Sequence, residues 1–484
     1  MNDLRVVLIN PSLKLAEIGH YSEEVEKNRG SYPPLGLGYV ASQLEKYGHV
    51  VEIIDLEVQP ELMTRLPEIL SEKSPDIVGF YTMTWTFQQV DKISREIKTR
   101  IPDTVLVMGG PNVCSFPKES LEYSIFDYAV VGEGEKTIIE LMDNIEDRGA
   151  GIDSIKGVVY RKDGKVVVNE SRELIRDLDE ISFPAWHLLP ISEYFDVFSR
   201  EKNFATIITS RGCPYNCAFC DRVNRMGKQW RSRSPENIIK EMKKLRKEYG
   251  INEFMFFDDN FIIDTKRVHK FCNLILKEKL GVIWECRARV DVVDKPLLEK
   301  MKKAGCYRIR YGMESGDNQI LQNLKKDITV EQIKRASKLT KDAGIEIFAY
   351  FMMGSPGETK ETLEKTRKLA LKINPDFVAF SRTILIVGSE LYEWGIQNNQ
   401  IKKDYWKKYL KGEETDSAPA ISTPELPDKE VEEYISKSEN QFYLRPKYIT
   451  KRLKNIRTPY QLKKQGKMGI QMIKKIWIKK LPKV

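Results

Sequence analysis

The chain has 484 residues, of which 41% are hydrophobic and 31% are charged, a composition typical of globular proteins with two or three domains. No apolar segment is long enough to cross a membrane, and seven cysteines, three of them within eight residues, favour a reducing cytoplasm over a disulfide framework. The net charge of +9 is uneven: residues 441–484 contain fourteen Lys and Arg and no acidic residue, which leaves residues 1–440 near −5. General nucleic-acid binding is therefore not expected.

Short apolar segments alternate with longer amphipathic ones in residues 1–150. The predicted strands are Arg5–Ile9, Val50–Ile54, Asp76–Tyr81, Thr104–Met108 and Asp127–Val131. The predicted helices between them are Leu37–Tyr47, Pro60–Glu72, Thr86–Arg100 and Lys118–Tyr123. This alternation predicts a doubly wound parallel sheet.

Polar residues and glycines follow the predicted strands of this domain, at the edge where such sheets bind ligands. The candidate residues are Asn10, Thr82, Thr84, Gly109, Gly110, Pro111, Gly132, Glu133, Gly134 and Glu135. Glycines here let a large flat ligand approach the backbone, but they also simply turn the chain in every fold of this kind. The residues alone leave both interpretations open.

Residues 151–200 are predicted to form a hairpin and a connector. Asp163-Gly164 in the middle of residues 157–168 favours a type I′ turn. Pro184 and its mixed polar surroundings indicate an extended connector across both domains, in which Trp186 and His187 are packing residues.

Strands and helices alternate again in residues 201–385. The predicted strands are Ala205–Thr209, Glu253–Phe257, Val282–Arg287, Tyr307–Gly312, Glu346–Met353 and Phe377–Ile384. The predicted helices are Ser234–Tyr249, Thr265–Glu278, Lys295–Ala304, Asp317–Leu324, Val330–Ala343 and Thr359–Ile373. Six such units are too few for a closed eight-stranded barrel and suit a partial barrel that is open on one side, with its site at the carboxyl ends of the strands.

Three cysteines spaced C-x3-C-x2-C follow the first strand of this domain. Cys213, Cys217 and Cys220 share a polar loop, and the next cysteine, Cys272, is 52 positions further on. Thiolates at this spacing suit three corners of a cubic iron–sulfur cluster, and one iron would then have no protein ligand. Buried structural thiols and a zinc site are the alternatives, although structural zinc requires a fourth ligand.

With Phe219 before the last cysteine, the motif resembles the signature of the radical S-adenosylmethionine (SAM) enzymes. The resemblance implies a 4Fe–4S cluster on Cys213, Cys217 and Cys220, with SAM chelating the remaining iron. It further implies that one-electron reduction, by a ferredoxin- or flavodoxin-like donor, cleaves SAM to a 5′-deoxyadenosyl radical.

Charged residues lie at the ends of the next two strands. Asp258 and Asp259 need cations or hydrogen-bond donors, and they either belong to the site or cap the following helix. Period-two alternation places Arg287 and Arg289 on one face, where they are candidates to bind the SAM carboxylate. A structural ion pair with Glu285 or Asp258 is the alternative.

Two later strand ends resemble elements of the same family. Residues 312–316, Gly-x-Glu-Ser-Gly, resemble the element at the methionine or ribose part of SAM, which implies Glu314 and Ser315. Residues 354–359, Gly-x-Pro-Gly-Glu-Thr, resemble the element near the adenine, which implies Gly354, Pro356, Gly357 and Glu358. Lys326 is discounted, because Asp327 replaces the glycine of the corresponding family pattern.

The first domain is similar to the cobalamin-binding domain of the cobalamin-dependent radical SAM family, which includes the anaerobic Mg-protoporphyrin monomethyl ester cyclases. The resemblance rests on residues 33–37, 109–111 and 131–135. The D-x-H-x-x-G motif is absent, and none of the four histidines, His20, His49, His187 and His269, follows a strand in that pattern. Cobalamin is therefore expected without a histidine ligand. Asn112 stands where many relatives have histidine.

The four remaining cysteines, Cys114, Cys272, Cys286 and Cys306, are expected to be small buried apolar residues. With only Cys114 in the first domain, a second three-cysteine cluster is impossible there, which disfavours a methylthiotransferase.

Residues 386–484 are predicted to be helical with a basic tail. The aromatic segments 391–394 and 405–409 cap the open barrel or pack as ordinary helices, and a helix is expected at Asp428–Tyr443 after a polar linker. In the tail, an apolar stripe alternates with lysines, formed by Ile470, Ile473, Ile476, Trp477 and Leu481 against Lys467, Lys474, Lys475, Lys479 and Lys480. This pattern favours a helix lying on an anionic membrane surface over nucleic-acid binding. A solvated tail, or one packed on the acidic body, is the alternative.

The resemblance implies a cytoplasmic, cobalamin-dependent radical SAM methyltransferase, and the tail would place it peripherally on the inner membrane face. One SAM would methylate cob(I)alamin, a second would generate the radical, and an unactivated carbon of a small-molecule or lipid substrate would receive the methyl group. Two rivals remain. One is a radical cyclisation, oxidation or C–C coupling on the same architecture, and the other is a non-catalytic iron–sulfur sensor or membrane scaffold.

Overall fold

The computed structural model describes residues 3–13, 30–147, 151–221, 226–414, 419–456 and 458–466, together with residue 469. Two α/β domains lie at the amino-terminal and central parts of the chain, and helices follow them. The predicted amphipathic stripe of the tail, from Lys467 to Leu481, lies outside the described residues.

The first domain is built on a seven-stranded sheet in the order β2-β1-β3-β4-β5-β6-β7. Its strands are β1 (Arg5–Asn10), β2 (Val50–Asp55), β3 (Ile77–Tyr81), β4 (Val105–Gly109), β5 (Tyr128–Val130), β6 (Val158–Lys162) and β7 (Lys165–Val168). β1–β5 are parallel, as predicted, whereas β6 and β7 add to the edge in antiparallel pairing. The hairpin therefore continues the first sheet and does not stand between the domains.

Six α-helices accompany this sheet in the described residues: α1 (Leu35–Lys46), α2 (Leu66–Lys73), α3 (Phe87–Arg100), α4 (Pro111–Ser115), α5 (Pro117–Glu122) and α6 (Gly134–Glu146). The sequence did not predict α6, because its start overlaps the Gly-Glu-Gly-Glu segment that suggested only a loop. Glu133 has extended backbone angles and precedes the first helical residue, Gly134, so the loop and the helix share these residues.

The second domain contains six parallel strands in the order β15-β14-β13-β12-β11-β8, which leaves the two edge strands unpaired with each other. The strands are β8 (Phe204–Ile207), β11 (Glu253–Phe256), β12 (Ile283–Ala288), β13 (Cys306–Glu314), β14 (Glu346–Met353) and β15 (Phe377–Arg382). The helices are α7 (Pro235–Tyr249), α8 (Thr265–Lys277), α9 (Lys295–Lys303), α10 (Asn318–Asn323), α11 (Val330–Asp342) and α12 (Lys360–Ile373). The predicted open, six-unit partial barrel is confirmed.

A two-residue ladder, β9 (Ser210–Arg211) with β10 (Arg231–Ser232), follows β8 and encloses the cysteine segment. Its strands are antiparallel, with Arg211 opposite Arg231. The cysteines therefore lie in a loop whose two ends are held side by side.

In the described part of the chain, the helices after the barrel include α13 (Glu390–Gln397), α14 (Tyr405–Lys411), α15 (Asp428–Tyr443) and α16 (Pro446–Asn455). The aromatic residues of α13 and α14 pack as ordinary helix residues, but against the first domain: Trp406 and Tyr409 share a hydrophobic cluster with Phe87 and Phe126. The side-chain amide of Gln88 also donates to the carbonyl of Tyr409. The segment that contains α13 and α14 therefore follows the barrel in the sequence but packs on the first domain, and it links the two domains.

The basic residues of α16 contact the acidic body. Lys451 pairs with Asp376 at 2.9 Å, and the Arg452 guanidinium lies 4.2 Å from the centre of the Phe377 ring. The start of the basic segment therefore packs on the barrel. No helix of the described residues is long and apolar enough to cross a membrane.

Candidate functional site

The cysteine loop lies at the carboxyl edge of the barrel, because it follows β8 through β9. Its backbone is held by hydrogen bonds from the amides of Cys213 to Gly227 at 3.4 Å and of Ala218 to Leu324 at 2.9 Å. The amide of Cys220 donates to the carbonyl of Cys217 at 3.1 Å. All three cysteines are half-buried and free of disulfides.

Three thiols in one loop suit a cubic cluster better than a single metal ion. No group of three His, Cys, Asp or Glu side chains that would hold one ion occurs in the described part of the chain. A cubic cluster spreads three thiolates over three separate irons, so it does not need the thiols to meet at one point. The donor set therefore fits a 4Fe–4S cluster and does not indicate a zinc site.

Two buried cations lie beside the cysteine loop. Arg289 places Nη1 3.9 Å from the sulfur of Cys217 and stacks its guanidinium 3.8 Å from the Tyr215 ring centre. Lys326 lies with Nζ 5.6 Å from the Phe219 ring centre. Burial raises the pKa of Cys217 above its usual value, and the positive charges of Lys326 and Arg289 offset only part of this rise. These cations favour the thiolate that a metal requires.

Lys326, which the sequence interpretation discounted, is therefore a residue of this site. Its ammonium bonds Glu314 Oε1 at 2.7 Å, and both side chains are buried. The replacement of glycine by Asp327 does not disturb this arrangement, because Asp327 adopts a φ of 54°, which aspartate tolerates better than most residues. The structure therefore places Lys326 beside Glu314 and the cysteine loop although the glycine is replaced.

Arg287, near the end of β12, and Arg289, just after the strand, do not share one role. Arg289 lies beyond the strand end, so period-two alternation no longer applies, and it forms two hydrogen bonds of 3.0 Å with Asp291. Its Nη2 also donates to the carbonyl of Lys326 at 2.7 Å. Arg287 instead faces a cavity and stacks 4.4 Å from the Phe257 ring centre. The structural partner of Arg289 is thus neither of the predicted acids.

Asp258 and Asp259 also point to different places. Asp258 is buried and accepts hydrogen bonds from the Thr209 amide at 2.6 Å and from the Ser210 hydroxyl at 2.7 Å. It therefore fixes the chain just before the cysteine loop and does not cap the next helix. Asp259 lines the cavity.

The Gly-x-Glu-Ser-Gly element bends sharply at the end of β13. Glu314 has a φ of 56°, a left-handed conformation that few residues other than glycine adopt. The Ser315 hydroxyl lies 3.2 Å from the Thr366 hydroxyl, and a side chain at Gly316 would meet the backbone of Thr366 at 2.6 Å. The element is therefore pressed against α12, with the carboxylate of Glu314 directed to Lys326.

The Gly-x-Pro-Gly-Glu-Thr element forms a tight loop after β14. One oxygen of Glu358 accepts the amides of Gly354 at 2.6 Å and Ser355 at 2.8 Å, while the carbonyl of Pro356 accepts from Asn323 at 2.8 Å. Desolvation raises the pKa of Glu358 to about 7. At Gly357, a side chain would meet the Asn323 amide nitrogen at 2.8 Å. The loop is therefore rigid, and the carboxylate of Glu358 joins its two ends.

A cavity of about 660 Å³ opens between the two domains. Its first-domain wall comprises the strand-end residues Asn10, Pro11, Gly109, Gly110, Pro111, Gly132, Glu133, Gly134 and Glu135. Its second-domain wall comprises Ile208, Ser210, Arg211, Gly212, Met226, Phe257, Asp259 and Arg287. The cysteine loop thus begins on the wall of the same cavity that the glycines of the first domain line.

The predicted first-domain residues divide into two groups. The glycine segments line the cavity, and at Gly110, with φ of 111°, a side chain would meet the Thr82 carbonyl at 2.9 Å. Thr82 and Thr84 are buried and are absent from the cavity wall. This wall is therefore mainly backbone and apolar side chains, which suits a large flat ligand held by shape.

Cys114 differs from the other single cysteines. Cys272, Cys286 and Cys306 are buried as predicted, whereas Cys114 lines the cavity and accepts the Gly132 amide at 3.3 Å. His49, His187 and His269 do not line the cavity, and His20 lies outside the described residues.

Two family models match the chain. The model of the radical SAM superfamily matches residues 207–370, and the model of the B12 binding domain matches residues 25–142. The second-domain wall of the cavity lies within residues 207–370, and most of the first-domain wall, though not Asn10 and Pro11, lies within residues 25–142.

Two relatives extend these matches over most of the chain. An uncharacterized methyltransferase of Pyrococcus horikoshii is 34% identical over 420 residues, which are 87% of this chain and 89% of that protein. The anaerobic magnesium-protoporphyrin IX monomethyl ester cyclase of Rubrivivax gelatinosus is 32% identical over 381 residues, 77% of this chain and 66% of that protein. Both resemblances that the motifs indicated are therefore confirmed.

Among solved structures, the cobalamin-dependent S-adenosylmethionine radical enzyme OxsB with aqua-cobalamin bound superposes with a TM-score of 0.74. It is 20% identical and is matched over 98% of this chain and 71% of that chain. At this identity the likeness shows the fold, and it confirms the arrangement of two α/β domains.

Proposed function

Because this chain belongs to the cobalamin-dependent radical SAM enzymes, with a 4Fe–4S cluster, SAM and cobalamin as its cofactors, we propose that it is a methyltransferase acting on an unactivated carbon. The observation that carries the proposal is the similarity to a methyltransferase over 89% of that relative's length. The cavity that both domains line supports it, because methyl transfer requires the methyl donor and the radical to reach one substrate.

In this proposal, Cys213, Cys217 and Cys220 hold the cluster, and the first-domain strand ends hold the corrinoid. When bound, these groups and SAM supply a carbon radical and a methyl group. The chain supplies position and charge: Arg289 and Lys326 keep positive charge beside Cys217. Asp258 fixes Thr209 and Ser210 at the entry of the loop.

The assignment of SAM contacts is likewise a proposal. The Glu314–Lys326 pair and the rigid Gly354–Glu358 loop lie at adjacent strand ends, where a zwitterionic and aromatic ligand finds charges and backbone groups. Arg287 and Asp259 face the cavity and are therefore assigned to the substrate side of SAM. A reductase of the ferredoxin or flavodoxin class would supply the electrons.

The test uses SAM carrying a trideuterated methyl group. The reconstituted, reduced protein is incubated with a small-molecule extract from its own host, and new masses are recorded together with 5′-deoxyadenosine. A product that gains one labelled methyl group, formed with 5′-deoxyadenosine, supports the proposal. 5′-Deoxyadenosine with a product lacking the label would refute methylation and favour the second candidate, a radical cyclisation of the kind that the name of the second relative indicates.

A lipid substrate is the finer form of this proposal, and it rests on the amphipathic pattern of the tail. Residues 441–484 contain fourteen basic residues and no acidic ones. Anionic vesicles should float the full chain better than a form truncated after Asn455, the last residue of α16. Equal flotation of both forms would remove the membrane surface and the lipid argument together, while leaving methyl transfer to a small molecule untouched.

A further inference from the structure

The cysteine loop is bounded by two arginines that face each other. Arg211 lies in β9 and Arg231 in β10, and the two residues pair in the antiparallel ladder. All three cluster cysteines lie between them in the sequence. A residue that bonds to both arginines therefore fixes both ends of the cysteine loop.

One carboxylate from the first domain bonds both arginines. Glu133 Oε1 accepts from Arg211 Nη1 at 3.0 Å and from Arg231 Nη1 at 2.9 Å. Its Oε2 accepts from Arg231 Nη1 at 2.9 Å and from the amide of Ile175 at 2.7 Å. Of the two arginines, Glu135 pairs with Arg211. Glu133 is therefore the residue that ties the two ends together.

This cluster is shielded from water, so its geometry is specific. Arg211, Arg231, Glu133 and Glu135 are each at most 9% exposed. Burial would raise the pKa of Glu133, but hydrogen bonds from Arg231 and the charge of Arg211 lower it below its usual value. Removing one partner from such a buried group leaves charges uncompensated, so the pairing resists small displacements.

The backbone that carries Glu133 is also a wall of the cavity. Gly132, with φ of 80°, and Gly134 flank it, and all three residues line the cavity. A side chain at Gly132 would meet nothing within 4 Å, so this backbone is open to a ligand. A ligand in the cavity and the ends of the cysteine loop therefore act on the same three residues.

We propose that Glu133 is a positioning residue that couples occupancy of the corrinoid cavity to the conformation of the cysteine loop. The inference rests on the assignment of the two cofactors, but it does not require that the reaction be a methylation. Because coupling between two sites is reciprocal, each cofactor strengthens the binding of the other by the same factor. We expect a factor of about 10, within the usual range of about 5- to 150-fold.

The experiment measures binding in both directions on the full chain, without substrate. Hydroxocobalamin affinity is determined for the cluster-reconstituted and the cluster-free protein, and the rate of iron release to a chelator is determined with and without hydroxocobalamin. In the unmodified protein, the cluster should tighten hydroxocobalamin binding about 10-fold. Hydroxocobalamin should in turn slow iron release.

The deciding variant is Glu133→Gln, in which an amide replaces one acceptor and turns a donor toward an arginine. It should bind hydroxocobalamin with the same affinity whether or not the cluster is present. The matched control is Glu140→Gln on α6, the helix that Glu133 precedes. The side chain of Glu140 is 47% exposed and pairs with Arg172 in the connector. This control should keep the full coupling.

Glu135→Gln, which loosens only the Arg211 end, should keep a coupling of about 3-fold, the square root of the full factor of about 10. If Glu133→Gln does not fold, the coupling measured in Glu135→Gln tests the inference instead. The absence of coupling in the unmodified protein would overturn the inference. Full coupling in both variants would overturn it as well. Failure of methyl transfer in a protein that still shows the coupling would refute the proposed function alone.

Discussion

The two domains present different surfaces to the same cavity. The first domain presents backbone: its strand ends are Gly109, Gly110, Gly132 and Gly134, while the hydroxyl residues Thr82 and Thr84 are turned away from the cavity. The second domain presents charged side chains, with Arg211, Asp259 and Arg287 on the cavity wall. The buried pairs Arg289–Asp291 and Lys326–Glu314 lie beside the cysteine loop at the same edge. We infer that the first surface selects a ligand by shape and the second by charge.

The largest effect is expected from removing a cluster ligand of the second surface. Cys217→Ser should abolish cluster assembly, because a serine hydroxyl does not replace a thiolate toward iron, and reductive SAM cleavage should fall to background. Iron and sulfide content and 5′-deoxyadenosine formation are the measurements. Cys272→Ala, at a buried cysteine of α8, should keep the cluster; equal iron content in the two variants would contradict the assignment of the loop.

The next effect tests whether the paired charges of that surface matter. Lys326→Met leaves Glu314 buried without its cation, which should cost about 3–5 kcal/mol of unfolding free energy and weaken SAM binding. Its neighbour is the control: Lys325 forms an exposed pair with Glu390, so Lys325→Met should cost about 0–1 kcal/mol. Urea denaturation measures the free energy of unfolding of the two variants, and SAM titration measures their affinity for SAM. Similar losses of stability and affinity in the two lysine variants would show that the buried pair has no special role.

A third prediction addresses the backbone surface. Gly110→Ala puts a side chain into a left-handed position against Thr82, which should cost about 1–3 kcal/mol and abolish hydroxocobalamin binding. Gly250→Ala has the same type of strain, with φ of 67°, at the end of α7, and Gly250 does not line the cavity. It should lose stability but keep the corrinoid. Retention of hydroxocobalamin by the Gly110 variant would show that this backbone is not a ligand wall.

The smallest effect is a pH dependence in the rigid loop after β14. Burial raises the pKa of Glu358 from 4.5 to about 7, so the folded protein holds a proton that the unfolded chain releases in this interval. This contribution to stability is present below pH 4.5 and is lost as the pH rises to about 7. Glu358→Gln should flatten that decline by up to about 1.4 kcal/mol per pH unit.

Denaturation at several pH values measures this slope. Glu361→Gln, on the exposed first turn of α12, provides the control and should keep the original decline. An unchanged slope in the Glu358 variant would place the proton elsewhere.

Periodicity and motif order predicted the elements well, because apolar alternation reports burial directly. The bounds of α15 were predicted to the residue, and β14 likewise. The missed side-chain pairings have a common cause, because they join residues that the local sequence pattern does not connect. The sequence around Lys326 does not indicate its ion pair with Glu314, and the sequence around Arg231 does not indicate its ion pair with Glu133. Such pairs form only when the strands assemble.

The positions of the glycine motifs, in contrast, could be predicted from the sequence. A glycine carries its information in the local backbone, so Gly109-Gly110 and Gly132–Glu135 were correctly assigned to one edge, which the structure now places on a cavity wall. Thr82 and Thr84 belong to the same loops by sequence, yet their side chains lie outside that wall. The direction of a side chain in an irregular loop depends on tertiary packing, which sequence periodicity does not report.

The central claim is that two cofactors serve one methyl transfer across this cavity. The most direct measurement follows labelled methyl groups in the fully reconstituted protein, reduced in the presence of methyl-labelled SAM. The account predicts that the label appears on the corrinoid and that the same sample forms 5′-deoxyadenosine. Formation of 5′-deoxyadenosine without any label on the corrinoid would contradict it.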